Sequence, residues 1–302
     1  MNRRRFLQAL GAGGLLGTAG CLSRSPPTAG TTSTPTVTDD PVLAFGATTT
    51  VHDSGLLHAL LPGLEASFGL TVKPIIKGSG AMLRTAEDGD VDVVLVHARP
   101  LEDRFLEQGY GINRRAVMMN DFLVVGPAND PAEAAGRHPI RAIEAIARSE
   151  ATFLSRGDRS GTHLRERQLW AEAGLDPGGR WYRETGQGMG ETLIAARQLD
   201  AYTLSDRGTF LATDTGEALG PIVDRGLSDP PPLLENIYSA IATNPARHDV
   251  NYQYAMAAIG YLTGPAQDTI ADFRIDGERT FQPIGSTVEP KFDQYVPAGW
   301  TG

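Results

Sequence analysis

Short apolar segments alternate with helical segments through most of this 302-residue chain, and this alternation limits the possible folds more than any other feature. Residues 91–98 are apolar enough for a buried strand. Five leucines recur with helical spacing just after another apolar segment: Leu56, Leu57, Leu60, Leu61 and Leu64. Strands that alternate with helices form parallel sheets built from βαβ units. The sequence therefore predicts an α/β fold.

Polar segments occupy one recurring place in this pattern, because each follows a predicted strand and precedes a predicted helix. They are residues 48–50, 78–80 and 155–162. In open α/β sheets, ligands bind beyond the carboxyl ends of the strands. Helix N-termini at that edge present free N–H groups and positive dipole ends. The three segments together predict a site for an anion.

The segment 155–162 contains the strongest set of candidate donors. Ser160 is suited to cap the following helix, and Gly161 lets a ligand approach the backbone closely. Arg156 supplies forked N–H donors, which Asp158 could hold in place. The alternative interpretation is an ordinary capped helix start with a surface ion pair.

A hydrolase is the alternative from another functional class, with Ser155 or Ser160 as nucleophile and His163 as base. A nucleophilic serine needs an adjacent base. His163 follows Thr162 on the predicted helix and is expected to point elsewhere, and the sequence contains no G-x-S-x-G motif. The histidines do not have metal-ligand spacing. We therefore expect a protein that is not an enzyme and needs no metal or cofactor.

The first 40 residues are typical of an export signal followed by a tether. Arg3 and Arg4 precede an apolar pair, as in a twin-arginine signal. The only cysteine, Cys21, follows small residues as in a lipoprotein signal. Residues 1–21 are thus predicted to be a signal and 22–40 a flexible linker. We expect an exported protein anchored to the outer face of the cell membrane by a lipid on Cys21; a plain export signal with an incidental cysteine is the alternative.

The formal net charge of −9 argues against nucleic acid as a partner and limits how the protein could attract an anion. Nucleic-acid binding is not expected, because the sequence has no basic stripe. An acidic surface poor in lysine suits a high-salt exterior, where charge repulsion is screened. The overall field repels an anion, so local donors must attract it.

Several segments resemble the tungstate-binding lipoproteins of ABC transporters, in the type II periplasmic-binding-protein class. The most specific are VMMNDF and SRGDRSGTH, and the similar segments span residues 43–248. The resemblance implies two α/β lobes joined by two crossover strands. It places lobe 1 at 41–121 and 237–302 and lobe 2 at 122–236, with hinges near Asn120-Asp121 and Asn236-Tyr238. It also implies a monomer that delivers tungstate to an ABC permease and its ATPase.

The same resemblance assigns the ligand-binding residues. They are Thr48, Thr49, Thr50, Ser79, Arg114, Arg156, Ser160, Gly161 and Thr162. Arg114 falls on the family's arginine, while Arg156 is either a ligand contact or a scaffold paired with Asp158. Ala47 and Val51 replace threonines of the family pattern, so one or two hydroxyls are missing.

Molybdate, sulfate and phosphate are alternative ligands. Phosphate keeps a proton near neutral pH, so a selective site offers it a carboxylate acceptor. Phosphate-binding relatives of this class place an aspartate at the position of His97. A site made only of donors suits tungstate, molybdate or sulfate, and only the resemblance favours tungstate. A structural lipoprotein without a ligand remains the third alternative.

Overall fold

A computed structural model describes residues 41–286 of the chain. The predicted signal (1–21), the predicted linker (22–40) and Cys21 lie outside the described residues, as do residues 287–302 of the predicted lobe 1. Within the described range, no helix is both long enough and apolar enough to cross a membrane.

The first lobe is built on a mixed sheet in the order β2-β1-β3-β9-β4. Its strands are β1 (Val42–Ala47), β2 (Thr71–Ile76), β3 (Val93–Val96), β4 (Gly111–Pro127), β9 (Glu235–Thr243) and β12 (Gln282–Pro283), with a hairpin of β10 (Arg274–Ile275) and β11 (Glu278–Arg279) beside them. Its helices are α1 (Thr49–Asp53), α2 (Leu56–Phe68), α3 (Ser79–Glu87), α4 (Arg99–Glu107), α9 (Tyr252–Thr263) and α10 (Ala266–Asp272). β1 pairs in parallel with both β2 and β3, as the alternation of strands and helices predicts.

The second lobe continues the sheet in the order β4-β7-β5-β6, with β8 also paired to β4. Its strands are β5 (Phe153–Ser155), β6 (Tyr182–Glu184), β7 (Tyr202–Asp206) and β8 (Leu219–Val223). Its helices are α5 (Pro139–Ser149), α6 (Gly161–Glu172), α7 (Met189–Gln198) and α8 (Arg207–Ala212), with a short 3₁₀ turn at Gly216–Ala218.

Two long strands, β4 and β9, connect the lobes. β4 pairs with β9 as far as the register Asp121↔Glu235, and from Phe122 onward it pairs with β7 and β8. The predicted two-lobed α/β fold with two crossover strands is confirmed. The lobe limits given above stay a prediction.

Each lobe has its own apolar core. Leu43, Phe45 and Leu60 lie in a cluster of the first lobe, whereas Phe122 and Trp170 lie in one of the second. Trp170 is fully buried and meets the Phe153 ring edge-on, with the ring centroids 5.2 Å apart. It is therefore a core residue of the second lobe.

The structure differs from the local sequence pattern at two places. Residues 48–50 do not form a separate loop between β1 and a helix, because Thr48 is the N-cap residue of α1 and its carbonyl accepts a hydrogen bond from the His52 N–H at 3.1 Å. The apolar residues from 117 onward indicate a strand that starts there, but Arg114 and Arg115 also lie inside β4. Pairing with β9 extends β4 back to Gly111, and a partner strand so distant in sequence leaves no local signal.

Candidate functional site

The polar segments of the first lobe lie at the carboxyl ends of its strands, as the strand and helix pattern predicts. Thr48 follows β1 and caps α1, and Ser79 is the first residue of α3 after β2. Thr48, Thr50 and Ser79 are buried, whereas Thr49 is partly exposed. The first lobe thus contributes three buried hydroxyls.

These hydroxyls are connected through His97, which follows β3. The Thr48 and Thr50 Oγ1 atoms are 2.9 Å apart, and Thr50 Oγ1 lies 3.4 Å from His97 Nε2. The His97 backbone N–H donates to Ser79 Oγ at 3.4 Å. One residue therefore joins the two polar segments of this lobe.

In the second lobe, the segment after β5 is organised by Asp158. One carboxylate oxygen of Asp158 accepts from Arg156 Nη2 at 2.5 Å, and the other accepts from the Ser160 N–H at 3.0 Å. Ser160 caps α6, because its Oγ accepts from the His163 N–H at 3.3 Å. The guanidinium of Arg156 and the first turn of α6 are thereby fixed relative to each other.

The two lobes contact each other where these segments meet. A Cβ atom built on Gly161 would lie 2.7 Å from the His97 carbonyl oxygen, and one built on Gly80 would lie 3.3 Å from the Arg159 carbonyl oxygen. The start of α6 therefore packs directly against the residues that carry the first-lobe hydroxyls. Only a residue without a side chain fits at position 161 in this arrangement.

Two buried donors of the second lobe have nothing to bond to. Arg156 Nε and Thr162 Oγ1 are both buried without a hydrogen-bond partner among residues 41–286. Buried polar groups in folded proteins are nearly always paired, and leaving one unpaired costs about 1–3 kcal/mol. Two such donors near the lobe contact indicate a place for an acceptor-rich ligand.

Carboxylate acceptors near Arg156 are already occupied. Asp158 is paired as described above. The charge of Arg156 also acts on Asp206, the last residue of β7. Both oxygens of Asp206 accept hydrogen bonds from Thr209, from its N–H at 2.9 Å and from its hydroxyl at 2.8 Å. The surroundings of Arg156 therefore present donors to a ligand while their carboxylates are used internally.

A model of the PBP superfamily domain matches residues 26–266. The chain belongs to this superfamily. A protein of Haloferax volcanii described as a candidate ABC transporter anion-binding protein is 48% identical over 315 residues, covering 100% of this chain and 92% of that protein. The tungstate-binding protein TupA of Peptoclostridium acidaminophilum is 38% identical over 236 residues, covering 76% of this chain and 81% of that protein. A solved structure described as the tungstate ABC transporter from Geobacter sulfurreducens is 46% identical, with a TM-score of 0.67, and the match covers 74% of this chain and 94% of that chain.

Arg114 occupies a different environment from the one that the resemblance implies. Its Nη1 lies 2.5 Å from Asp103 Oδ1 and 3.7 Å from Glu102 Oε2, and its side chain is buried. It lines an interlobe cavity of about 650 Å³ together with Glu102 and Arg165. The charge of Arg114 is thus already balanced by carboxylates of α4, whereas Arg156 keeps a free donor.

Four polar residues connect the candidate site to the crossover strands. His97 Nδ1 lies 2.7 Å from Asn236 Oδ1, and Asn236 Nδ2 donates to Asn120 Oδ1 at 2.6 Å. The Tyr238 hydroxyl donates to Thr50 Oγ1 at 3.2 Å, and its ring stacks on His97 with the centroids 4.6 Å apart. From the sequence, His97 was noted only as the position of a missing carboxylate, and Tyr238 only as part of a predicted hinge. The position of His97 directly after a buried strand is the signal that would have found it.

His97 is electrically neutral in this setting. Burial is the main cause that lowers its pKa to about 4, and the charges of Arg156 and Arg165 act in the same direction. The hydrogen bond with Asn236 opposes this shift but does not cancel it. The imidazole therefore offers hydrogen bonds and no charge at neutral pH.

The serines that a hydrolase would use have other partners. Ser155 Oγ accepts from the Gly157 N–H at 3.2 Å, and Ser160 Oγ caps α6. His163 Nδ1 accepts from the Arg159 N–H at 2.9 Å. His163 therefore holds the backbone of this segment. Among residues 41–286, no group of three or more His, Cys, Asp or Glu side chains could hold a metal ion.

Proposed function

We propose that this protein is the solute-binding component of an ABC transporter and that it captures tungstate between its lobes by hydrogen bonds. The proposed contacts are Thr48, Thr49, Thr50, Ser79, Arg156, Ser160, Gly161 and Thr162. In this proposal Arg156 replaces Arg114 as the charged donor, because Arg114 is neutralised by Asp103 and Glu102. The protein acts as a carrier, without catalysis and without a cofactor.

The observation that carries the proposal is the pair of unpartnered donors, Arg156 Nε and Thr162 Oγ1. An oxyanion supplies several acceptor oxygens from one centre and would satisfy both. Ser160 places the first turn of α6 beside them, where the N–H groups and the helix dipole favour negative charge. Hydroxyls of the first lobe complete the donor set from the opposite side.

The occupied carboxylates favour a fully deprotonated dianion over phosphate. Phosphate near neutral pH carries a proton and requires an acceptor from the protein. Asp158 and Asp206 already accept a hydrogen bond at each oxygen from groups of the protein, so both are engaged within the protein and are weaker candidates to accept that proton. Tungstate, molybdate and sulfate need only donors. The names of the relatives favour tungstate among these three.

The remaining parts of the proposal concern the location and partners of the protein. We infer export through the twin-arginine signal and anchoring to the outer face of the membrane by a lipid on Cys21. The monomer would pass tungstate to a permease driven by an ATPase. Mass spectrometry of the N-terminal peptide tests the anchor, because a lipidated Cys21 and a free thiol differ in mass.

Titration calorimetry tests the ligand directly. Tungstate, molybdate, sulfate and phosphate are titrated separately into the purified protein at high salt. We expect tight binding of tungstate and no heat from phosphate. Binding of phosphate alone would refute the argument from occupied carboxylates. Absence of binding by all four anions would refute the proposed function.

Thr162→Val tests whether the unpartnered hydroxyl contacts the ligand, because valine keeps the shape and removes the donor. Losing a hydrogen bond to a charged group costs about 1.5–3 kcal/mol, which raises the Kd for tungstate roughly 10- to 150-fold. Thr71→Val is the matched control, since Thr71 is exposed on β2. Equal affinity of the Thr162→Val variant and the control would remove Thr162 from the site.

A further inference from the structure

We propose that His97 is a positioning residue that orients the Thr50 hydroxyl and links it to both crossover strands, so that anion contact and lobe closure are coupled. This inference rests on the proposed function, because it concerns how the same site is organised. It assigns a role to a residue that the donor argument does not use.

The first step is the direction of the hydrogen bonds. Asn236 Nδ2 donates to Asn120 Oδ1, so Asn236 Oδ1 is the atom that faces His97 at 2.7 Å. A carbonyl oxygen only accepts, and His97 Nδ1 must therefore carry the hydrogen. Because the imidazole is neutral, Nε2 keeps a lone pair and can accept from the Thr50 hydroxyl while no ligand is bound. An anion at the site would take over this hydrogen, so His97 holds the Thr50 hydroxyl in place until the ligand arrives.

The second step is that Thr50 is fixed before a ligand arrives. Its Oγ1 lies within 3.4 Å of His97 Nε2, the Tyr238 hydroxyl and Thr48 Oγ1. Tyr238 is itself held by Asn236 Nδ2, which donates to its hydroxyl at 3.2 Å. The hydroxyls of Thr48 and Thr50 are therefore held in place by a network of buried polar groups before a ligand arrives.

The third step is that His97 touches the parts of the molecule that closure would move. Asn236 lies on β9 and Asn120 on β4, the two strands that connect the lobes. Gly161 of the second lobe packs against the His97 ring, because a Cβ at Gly161 would lie 2.8 Å from His97 Cε1. Closing the lobes thus presses the start of α6 onto the same side chain that orients Thr50.

The test is a double-mutant cycle on the tungstate Kd with His97→Phe and Thr50→Val, using the purified protein. Phenylalanine keeps the aromatic stack on Tyr238 but leaves Asn236 Oδ1 and the Thr50 hydroxyl without their partner. We expect His97→Phe to raise the Kd roughly 10- to 100-fold. In the Thr50→Val background the same substitution should cost less than about 3-fold, because residues that act through one another are not additive.

The controls separate positioning from folding. His58→Phe changes an exposed histidine of α2 and should leave the Kd unchanged. Melting temperatures without ligand report whether each variant folds. If His97→Phe does not fold, His97→Gln replaces it in the cycle. The inference is overturned if the His97 substitution raises the tungstate Kd equally in both backgrounds, or in neither. The proposed function still stands in that case, provided that the unmodified protein binds tungstate. No binding of any oxyanion by the unmodified protein overturns both.

Discussion

Gly161→Ala is the substitution that most directly tests the contact between the lobes. A Cβ at this position would lie 2.7 Å from the His97 carbonyl oxygen, 2.8 Å from His97 Cε1 and 2.9 Å from His97 Nδ1. The carbonyl oxygen belongs to the backbone and cannot rotate away. Gly161 is not among the residues with positive φ in the described chain, so alanine itself adopts this backbone without strain. The clash therefore falls on the lobe contact.

The magnitude follows from the geometry. Forcing an extra methyl group into a packed contact costs typically about 1–3 kcal/mol. This cost applies to the arrangement in which Gly161 meets His97, and we expect that arrangement to bind the anion. The Kd for tungstate should rise roughly 5- to 150-fold, since every 1.4 kcal/mol is tenfold. Alanine keeps the N–H of residue 161, so the loss would come from the contact and leave the donor set intact.

Calorimetry with tungstate and the melting temperature with and without tungstate are the measurements. Gly78→Ala is the matched control, because Gly78 also lies at the N-terminus of a helix, has a φ of −63°, and a Cβ there would meet no atom of the described residues within 4 Å. The control should bind as the unmodified protein does. Unchanged affinity of Gly161→Ala would refute the reasoning, because it would mean that the bound state does not bring Gly161 against His97.

Three further predictions concern charge. Burial raises the pKa of Glu166 from 4.5 to about 7. Between these pH values the folded state holds a proton that the unfolded state releases, so the free energy of unfolding falls as the pH rises from about 4.5 to 7. Glu166→Gln should therefore raise the melting temperature at pH 8 by the equivalent of roughly 3 kcal/mol and change it little at pH 4, as thermal unfolding at both pH values would show. Arg114→Ala should lower the free energy of unfolding by about 3 kcal/mol, because it removes the buried cation that pairs with Asp103. It should leave the tungstate Kd within about threefold, whereas Arg115→Ala should cost much less stability; denaturant titration and calorimetry check both variants. Raising NaCl from about 0.1 M to 1 M shortens the screening length from about 10 Å to 3 Å. The association rate of tungstate with this acidic chain should therefore increase in stopped-flow measurements. A decrease would contradict the inference that the overall charge of the chain repels the anion.

The sequence was sufficient to predict where the polar segments of the candidate site lie, for a physical reason. Carboxyl ends of parallel strands share one edge of a sheet, so polar residues after β1, β2 and β5 are brought near that edge whatever the loops do. The N-cap role of Ser160 and the pairing of Arg156 with Asp158 were likewise local, and the structure has both. Patterns that depend on neighbours in the chain were therefore predictable.

Contacts between distant segments were not predictable from local pattern. Arg114 and Arg156 are both arginines near polar segments, and only the packing of α4 against β4 shows that Arg114 is neutralised. The bond between His97 and Asn236 joins residues 139 positions apart, and neither residue alone indicates it. A single sequence does not show which carboxylate reaches which cation, so the choice between the two arginines required the structure.

The charge of the candidate site explains why closure should matter more than electrostatic attraction. Arg156 is paired with Asp158, so the positive charge of this donor is balanced by a neighbouring carboxylate. A dianion therefore gains little from net charge and must be held by dipoles, namely the hydroxyls and the first turns of α3 and α6. Dipoles are effective only where water is excluded, because the interaction energy decreases as the local dielectric constant rises. The lobes must meet at Gly161 and His97 before these donors bind strongly, and a cage of fixed donors then discriminates among dianions by their size.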